Sequence, residues 1–187
     1  MLTVTLPDGG LPFALPVTEP ENCAPFWVRA DPSTSSLQIT SVVALHAHRV
    51  AQHDRTVADH PWLSRATEFC VAAIRRLQEE DRVPHAIELA FAVRFADALS
   101  ARQPKTAREL LEVLRVFVPS DGRVHVQGGA KNEYMRPLDF APAPGLASEL
   151  LAESAIEADL RRLWSDQADD GGWTVDFVSH SPAAALE

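Results

Sequence analysis

The fold is decided by the stretch His60–Glu80, which reads HPWLSRATEFCVAAIRRLQEE. Proline suits the first turn of a helix, where its missing N–H has no intrahelical partner to lose. Apolar side chains then recur at spacings of three and four residues, at Leu63, Ala66, Cys70, Ile74 and Leu77. Charged residues fall on the opposite side, so the pattern predicts an amphipathic helix with one buried face.

Four more helices are predicted from stretches with no proline or glycine beyond the first turn. They run from about Ser36 to His53, Pro84 to Ala101, Pro104 to Val118 and Ala147 to Gln167. The second of these has almost no polar face, which is typical of a helix buried on several sides. The last carries a polar stripe at i,i+4 spacing, formed by Glu149, Glu153, Glu157 and Arg161.

The segments between the helices are rich in proline and glycine. Residues 1–34 predict an extended opening segment whose apolar side chains pack on the rest of the chain. The alternation around Asp121–Gly129 predicts one small hairpin or an extended excursion, and residues 127–146 predict a long loop. We therefore expect an all-α fold of five or six helices, forming a single domain over residues 1–187.

Composition excludes several classes of function. The chain has 187 residues and a net charge of -9, which disfavours sequence-independent binding to nucleic acid or to an anionic membrane. No apolar run approaches the ~18 residues that a membrane span requires. Two cysteines are too few for a disulfide scaffold, and the start has no signal-peptide pattern. These features predict a reduced, cytoplasmic protein.

An acidic-glycine turn recurs along the chain. Asp8-Gly9-Gly10-Leu11 returns as Asp170-Gly171-Gly172-Trp173, and Asp121-Gly122-Arg123-Val124 is a degraded copy. Glycine adopts positive φ at little cost, so each turn can end a helix or reverse the chain.

The last copy extends to Gln167-Ala-Asp-Asp170-Gly171-Gly172-Trp173 and fits the pattern Q-x-x-x-G-x-W. It resembles the glutamine–tryptophan repeat of the α/α-toroid proteins, which include squalene-hopene and oxidosqualene cyclases, class II diterpene cyclases and prenyltransferase β subunits. In such a turn the Gln amide bonds exposed peptide groups at a helix end, and the Trp ring packs over the turn. The first copy departs from the pattern with Thr5 and Leu11, and the middle copy with Val118 and Val124.

The resemblance implies an α/α toroid with a binding cavity among the inner helix ends. A toroid of six helix pairs needs considerably more than 187 residues, so the expected array is a partial toroid. Terminal repeats without polar caps leave apolar surface bare. We therefore expect a homo-oligomer or a complex with a partner subunit.

The resemblance also implies a hydrophobic isoprenoid-type ligand. Trp173, Phe177 and inner aromatics such as Phe91 or Phe95 would shield a carbocation through their π faces. The D-x-D-D acid of class II cyclases and the D-D-x-x-D array of class I synthases are absent, so a catalytic acid would come from Asp139, Asp169 or Asp170. Magnesium is implied only if a diphosphate is bound. The structural alternative makes Asp169 and Asp170 solvated caps of the turn.

The predicted loop 127–146 holds the remaining candidates. Glu133, Tyr134, Arg136 and Asp139 lie between glycines and prolines, and long loops in small domains are often functional. We predict that they contact substrate. The alternative is that Arg136 and Asp139 pair and pin the loop.

No metal site is predicted. His46 and His48 point about 200° apart on a helix, and neither cysteine has a partner at ligand spacing. His60 and His85 precede helix starts, where capping or surface placement fits them.

Two other functions remain open. One is a non-catalytic helical-repeat module that binds a partner protein or completes a homo-oligomer. The other is an α/α-barrel glycoside-processing enzyme, which needs paired carboxylates across a cleft.

Overall fold

The computed structural model describes residues 4–19, 21, 23–80 and 82–174. Its elements, in chain order, are α1 (Pro25–Val28), α2 (Leu37–Val50), α3 (Arg55–Ala58), α4 (Pro61–Glu79), α5 (Ala86–Leu99), α6 (Pro104–Arg115), β1 (Val124–His125), β2 (Tyr134–Met135), α7 (Pro137–Phe140), a 3-10 helix (Leu146–Leu150) and α8 (Glu153–Asp166). The expected, mostly helical fold is confirmed. Within the described ranges no helix is long and apolar enough to cross a membrane.

Four helices enclose the core. α2 and α6 each pack against both α4 and α5, whereas the consecutive helices α4 and α5 share little contact with each other. The order around the core is therefore α2, α5, α6 and α4. The four helices form one packed group, and a toroid that includes them stays a prediction.

Helix α5 is the most enclosed element. Nine of its 14 residues are buried, and it contacts α2, α6, α7, β2 and the 3-10 helix. This burial follows from its composition, because a helix that is apolar nearly all round needs neighbours on several sides. The predicted burial of this stretch is confirmed.

Local caps fix where the helices begin. The Ser36 hydroxyl accepts the Ile39 N–H at 3.3 Å at the start of α2. His60 Nδ1 accepts the Trp62 N–H at 3.2 Å, and His85 Nδ1 accepts the Ile87 N–H at 3.3 Å, at the starts of α4 and α5. The capping expected of both histidines is therefore confirmed.

The helix predicted from Ala147 to Gln167 is wrong in its first part. Residues Leu146–Leu150 form a separate 3-10 helix, and the chain is extended at Leu151 and Ala152 before α8 begins. The Leu151 side chain is buried in the core, and the Ala152 N–H donates to the Ser120 carbonyl at 2.9 Å. These two distant contacts stabilise the break, so it needs neither proline nor glycine.

The loop predicted over residues 127–146 is more ordered than expected. Strand β1 pairs with β2 in antiparallel register, Val124 opposite Met135 and His125 opposite Tyr134. A hairpin, one of the two alternatives expected here, is present, but only its first strand lies within Asp121–Gly129; its second strand and the short helix α7 lie inside the predicted loop.

The opening segment packs on α2 and α4, as expected, although it also contains the short helix α1. The Leu11 N–H donates to the Thr40 hydroxyl at 2.8 Å, and the Ser36 N–H donates to the Leu11 carbonyl at 2.8 Å. Gly9 has φ +92°, and a Cβ there would lie 2.7 Å from the Arg65 carbonyl oxygen. The first acidic-glycine turn therefore needs its glycine for close approach to α4.

A buried histidine links α2 to α4. His48 is 4% exposed, and its Nε2 lies 2.8 Å from the Thr67 hydroxyl, which lies 2.7 Å from the Leu63 carbonyl oxygen. A carbonyl has no hydrogen, so the hydroxyl donates to it and accepts the Nε2–H. The unprotonated Nδ1 is buried without a partner among the described residues. Burial, with the nearby positive charge of Arg102, lowers the pKa of His48 to about 4.

We expect acid to destabilise the fold through His48. In the unfolded chain its imidazole charges below about pH 6.5, but in the folded chain it charges only near pH 4. The unfolded state therefore binds more protons between these values, and stability falls on the order of 1 kcal/mol per pH unit as pH drops through that window. Urea unfolding at about pH 7.5, 6 and 5 measures this loss. His48→Gln should show a shallower fall, and equal falls in both proteins would contradict the assignment.

Candidate functional site

The glutamine–tryptophan segment folds as a compact turn after α8. Gln167 and Trp173 form an antiparallel bridge, and the Ala168 N–H donates to the Gly172 carbonyl at 2.9 Å. Gly171 has φ +86°, a conformation that favours glycine. The glycine pair therefore reverses the chain here.

Both signature side chains take part in this turn. The Gln167 amide donates to the Gly171 carbonyl at 2.9 Å, and the Trp173 indole N–H donates to the Leu163 carbonyl at 2.8 Å. The Leu163 carbonyl is one of the last four of α8, which have no partner inside the helix. The Gln167 amide thus bonds a peptide group of the turn rather than the helix end, where the Trp173 indole bonds instead. Both bonds lie within α8 and its own turn. Neither reaches another helix, and Trp173 is 53% exposed.

The acids of the turn are exposed. Asp170 accepts the Gly172 N–H at 2.9 Å, and Asp169 lies beside it on the surface. This arrangement is that of an acid capping a turn. Phe177, which is predicted together with Trp173 to shield a carbocation, lies outside the described residues.

The predicted loop residues build the hairpin. The Glu133 carboxylate accepts the Ala130 N–H at 3.0 Å and closes the hairpin loop. The Tyr134 ring meets His125 edge-on at 5.3 Å, and the Arg123 guanidinium lies 4.6 Å from its centroid. Both side chains therefore have intramolecular roles in the hairpin.

Asp139 lies at the start of α7. Its carboxylate accepts the backbone N–H of Arg136 at 2.8 Å, so the two residues are joined through the main chain. Desolvation raises the pKa of Asp139, and the nearby carboxylate of Asp159 raises it further. The structure thus brings Arg136 and Asp139 together through the Arg136 backbone N–H.

Asp159 is the buried acid that sequence reasoning missed. Its side chain is 5% exposed; it accepts the Leu138 N–H at 3.1 Å and the Arg162 Nε–H at 2.8 Å. It therefore ties α7 to α8. The sequence held one signal of this burial. Asp159 lies in the apolar row of Ile156 and Leu163, where a carboxylate is buried only if it has hydrogen-bond or ion-pair partners.

The inner aromatic residues belong to the core or its edge. Phe95 is fully buried, with its ring centroid 5.9 Å from that of His48. Phe91 is half-buried, and the Arg94 guanidinium lies 5.9 Å from its centroid. Phe95 is therefore enclosed by protein on all sides, so the packing would have to open before a ligand could reach its ring.

The metal-ligating residue types are dispersed. His46 is exposed and His48 is buried, so the two point apart as expected. Cys70 is buried in the core, where burial raises the pKa of its thiol. In the part of the chain that the structure describes, no group of three or more His, Cys, Asp or Glu side chains could hold a metal ion.

Helix α8 carries the clearest unexplained surface. Its one buried residue is Asp159, and its main packing partner is α7. Three large apolar side chains on α8 and its turn are exposed, Leu160 at 52%, Trp164 at 86% and Trp173 at 53%. We call these three residues the α8 patch.

A second apolar surface lies beside α1. Phe13 stacks on Trp27 with centroids 5.0 Å apart, next to an open groove of about 930 Å³ lined in part by Phe13 and Phe26. The Asp31 carboxylate at its edge accepts hydrogen bonds from Ser33 and Thr34, which lower its pKa to about 2. Its carboxylate is thus already engaged by its own loop.

No family model, curated protein or solved structure matches this chain. Its function is therefore inferred from the geometry of its own surfaces.

We expect Asp159→Asn to destabilise the fold by about 2–3 kcal/mol, because it removes the charge from a buried pair with Arg162. Asp166→Asn is the matched control, since Asp166 bonds the same arginine at 3.2 Å from an exposed position. The control should cost less than about 1 kcal/mol. Urea unfolding of both variants measures the difference, and equal losses would contradict a structural role specific to Asp159.

Proposed function

We propose that the chain is a non-catalytic helical interaction module that binds a partner protein through the α8 patch. The observation that carries the proposal is the exposure of Trp164, at 86%, on a helix whose single buried residue is an aspartate.

The energetics of α8 support a binding role. A helix of 14 residues is marginal in isolation, and most helical stability in proteins comes from packing an apolar face. Here Ile156 packs against the core, while Leu160 and Trp164 remain exposed. Tryptophan is strongly enriched among residues that dominate binding energy, because it combines a large apolar area with an N–H donor.

The interior offers less support for catalysis. The space between α2, α4, α5 and α6 is filled by side chains with almost no exposure, among them Leu45, Ile74, Phe95 and Leu110. A ligand among these helices would have to displace packed side chains, each contributing about 1.5–3 kcal/mol of burial. The exposed surface of α8 needs no such rearrangement.

Binding through the α8 patch is testable with a displayed library of random peptides of about 16 residues, panned on the wild-type chain. We expect enriched peptides to bind Trp164→Ala at least about 10-fold more weakly, because the indole supplies a binding hot spot. Val116→Ala is the control, since Val116 is also exposed, at 69%, but lies after α6. Enriched peptides that bind wild type and Trp164→Ala equally would overturn the proposed function.

A second candidate is an isoprenoid-binding or cyclising protein of the α/α-toroid superfamily. The observation that favours it is the Gln167–Trp173 turn, in which both signature side chains bond the main chain of the turn or of the helix end. Asp139, with its raised pKa, is the carboxyl best suited to retain a proton. Glu133, Tyr134 and Arg136 are its neighbours in sequence and would then lie near the substrate.

The second candidate predicts saturable binding or conversion of geranylgeranyl diphosphate or squalene, measured with and without magnesium. Products separated by gas chromatography, or saturable binding that Asp139→Asn alters, would support it. Neither product nor binding at ligand concentrations up to solubility would contradict it. Glu153→Gln provides the control, because Glu153 is an exposed acid outside the predicted loop.

A further inference from the structure

We infer that the partner segment recognised by the α8 patch is positively charged and amphipathic. This inference rests on the proposed function and adds the chemistry of the occupant. It follows from the acidic rim around the patch and from the way the two nearby arginines are already paired.

Acidic residues dominate this part of the chain. Residues 153–174 hold six carboxylates and two arginines, a net charge of -4 in a chain whose total is -9. Glu153 and Glu157 precede Leu160 and Trp164 at spacings of four, three and four residues, which places the four on one helix face. The carboxylates therefore continue the same row as the apolar side chains.

Both arginines are engaged by acids of the same helix. Arg161 pairs with Glu157 at 3.5 Å, whereas Arg162 pairs with Asp159 at 2.8 Å and with Asp166 at 3.2 Å. Across the described ranges, Glu153, Asp169 and Asp170 form no ion pair of their own. Uncompensated negative charge thus lies at both ends of the α8 patch.

The C-terminal end of α8 adds to this field. The helix macrodipole places partial negative charge at its last turn, beside Asp166, Asp169 and Asp170. Lysine or arginine side chains there would gain from the carboxylates and from the face of the exposed Trp164 ring. A partner with apolar residues for the patch and basic residues for its rim is therefore complementary.

The same charges disfavour other occupants. Two copies of the chain joined through this face would bring together two surfaces of charge -4, and like charges across an interface cost several kcal/mol. Nucleic acid and anionic membranes carry the same sign of charge as the rim and are disfavoured for the same reason. The negative charges of the rim therefore favour a basic segment of a different protein as the occupant.

The test uses three synthetic amphipathic peptides of about 14 residues with leucines on one face. Their remaining positions are all lysine, all glutamine or all glutamate. Fluorescence anisotropy measures their binding to the full chain. We expect the lysine peptide to bind at least about 10-fold more tightly than the glutamine peptide and to weaken with salt, because close charge pairs dominate the difference. The glutamate peptide should not bind.

Two quadruple variants separate rim charge from total charge. The rim variant carries Glu153→Gln, Glu157→Gln, Asp169→Asn and Asp170→Asn. The control changes four exposed acids elsewhere to glutamine, Glu19, Glu21, Glu79 and Glu80. Both raise the net charge equally, and we expect only the rim variant to reduce lysine-peptide binding to the level of the glutamine peptide.

The outcomes distinguish the two proposals. Equal binding of the lysine and glutamine peptides, both lost in Trp164→Ala, would overturn this inference and leave the proposed function standing. Binding of the lysine peptide that neither Trp164→Ala nor the rim variant alters would overturn both proposals. A concentration-dependent homodimer that Trp164→Ala dissociates, measured by sedimentation, would identify a second copy as the occupant and would also overturn the inference.

Discussion

Burying helix α5 on nearly all its sides is the constraint around which the chain is arranged. The helix excludes four large apolar side chains from water, Leu89, Val93, Phe95 and Leu99. The burial of each such side chain contributes about 1.5–3 kcal/mol to the stability of the fold. One neighbouring element covers only one face of a helix. Helices α2 and α6 therefore pack on two sides of α5, and α7, β2 and the 3-10 helix pack on the others. The order of the four core helices follows, because α4 can close the group only by packing on α2 and α6.

The same constraint explains why the surface of α8 differs from the rest. Asp97 of α5 accepts the Ala147 N–H at 3.0 Å and fixes the 3-10 helix. Beyond that point α8 packs chiefly on α7, and the buried Asp159 carboxylate links the two helices by accepting the Leu138 N–H. A helix attached at the edge of a filled core has no inner surface on which to bury Leu160 and Trp164.

Features that depend on neighbouring residues could be predicted from the sequence, and features that depend on distant ones could not. The amphipathic helix after His60 and the turn from Gln167 to Trp173 are stabilised by bonds within about ten residues, so their patterns were sufficient. The break before α8 depends on the Ser120 carbonyl, and Asp159 depends on the Leu138 N–H. Such partners come together only in the folded chain, so the spacing of residues along the sequence does not predict them.

The candidate site residues show the same limit when chemistry is predicted from residue type alone. Glu133, Asp139 and Asp170 have residue types that suit catalysis, yet each carboxylate accepts a backbone N–H close to it in sequence. Each of the three side chains is therefore already used as a hydrogen-bond acceptor by the main chain beside it. Leu160 and Trp164 remain exposed on α8, and Glu153 and Asp169 form no ion pair in the part of the chain that the structure describes; the proposed recognition of another protein rests on these side chains.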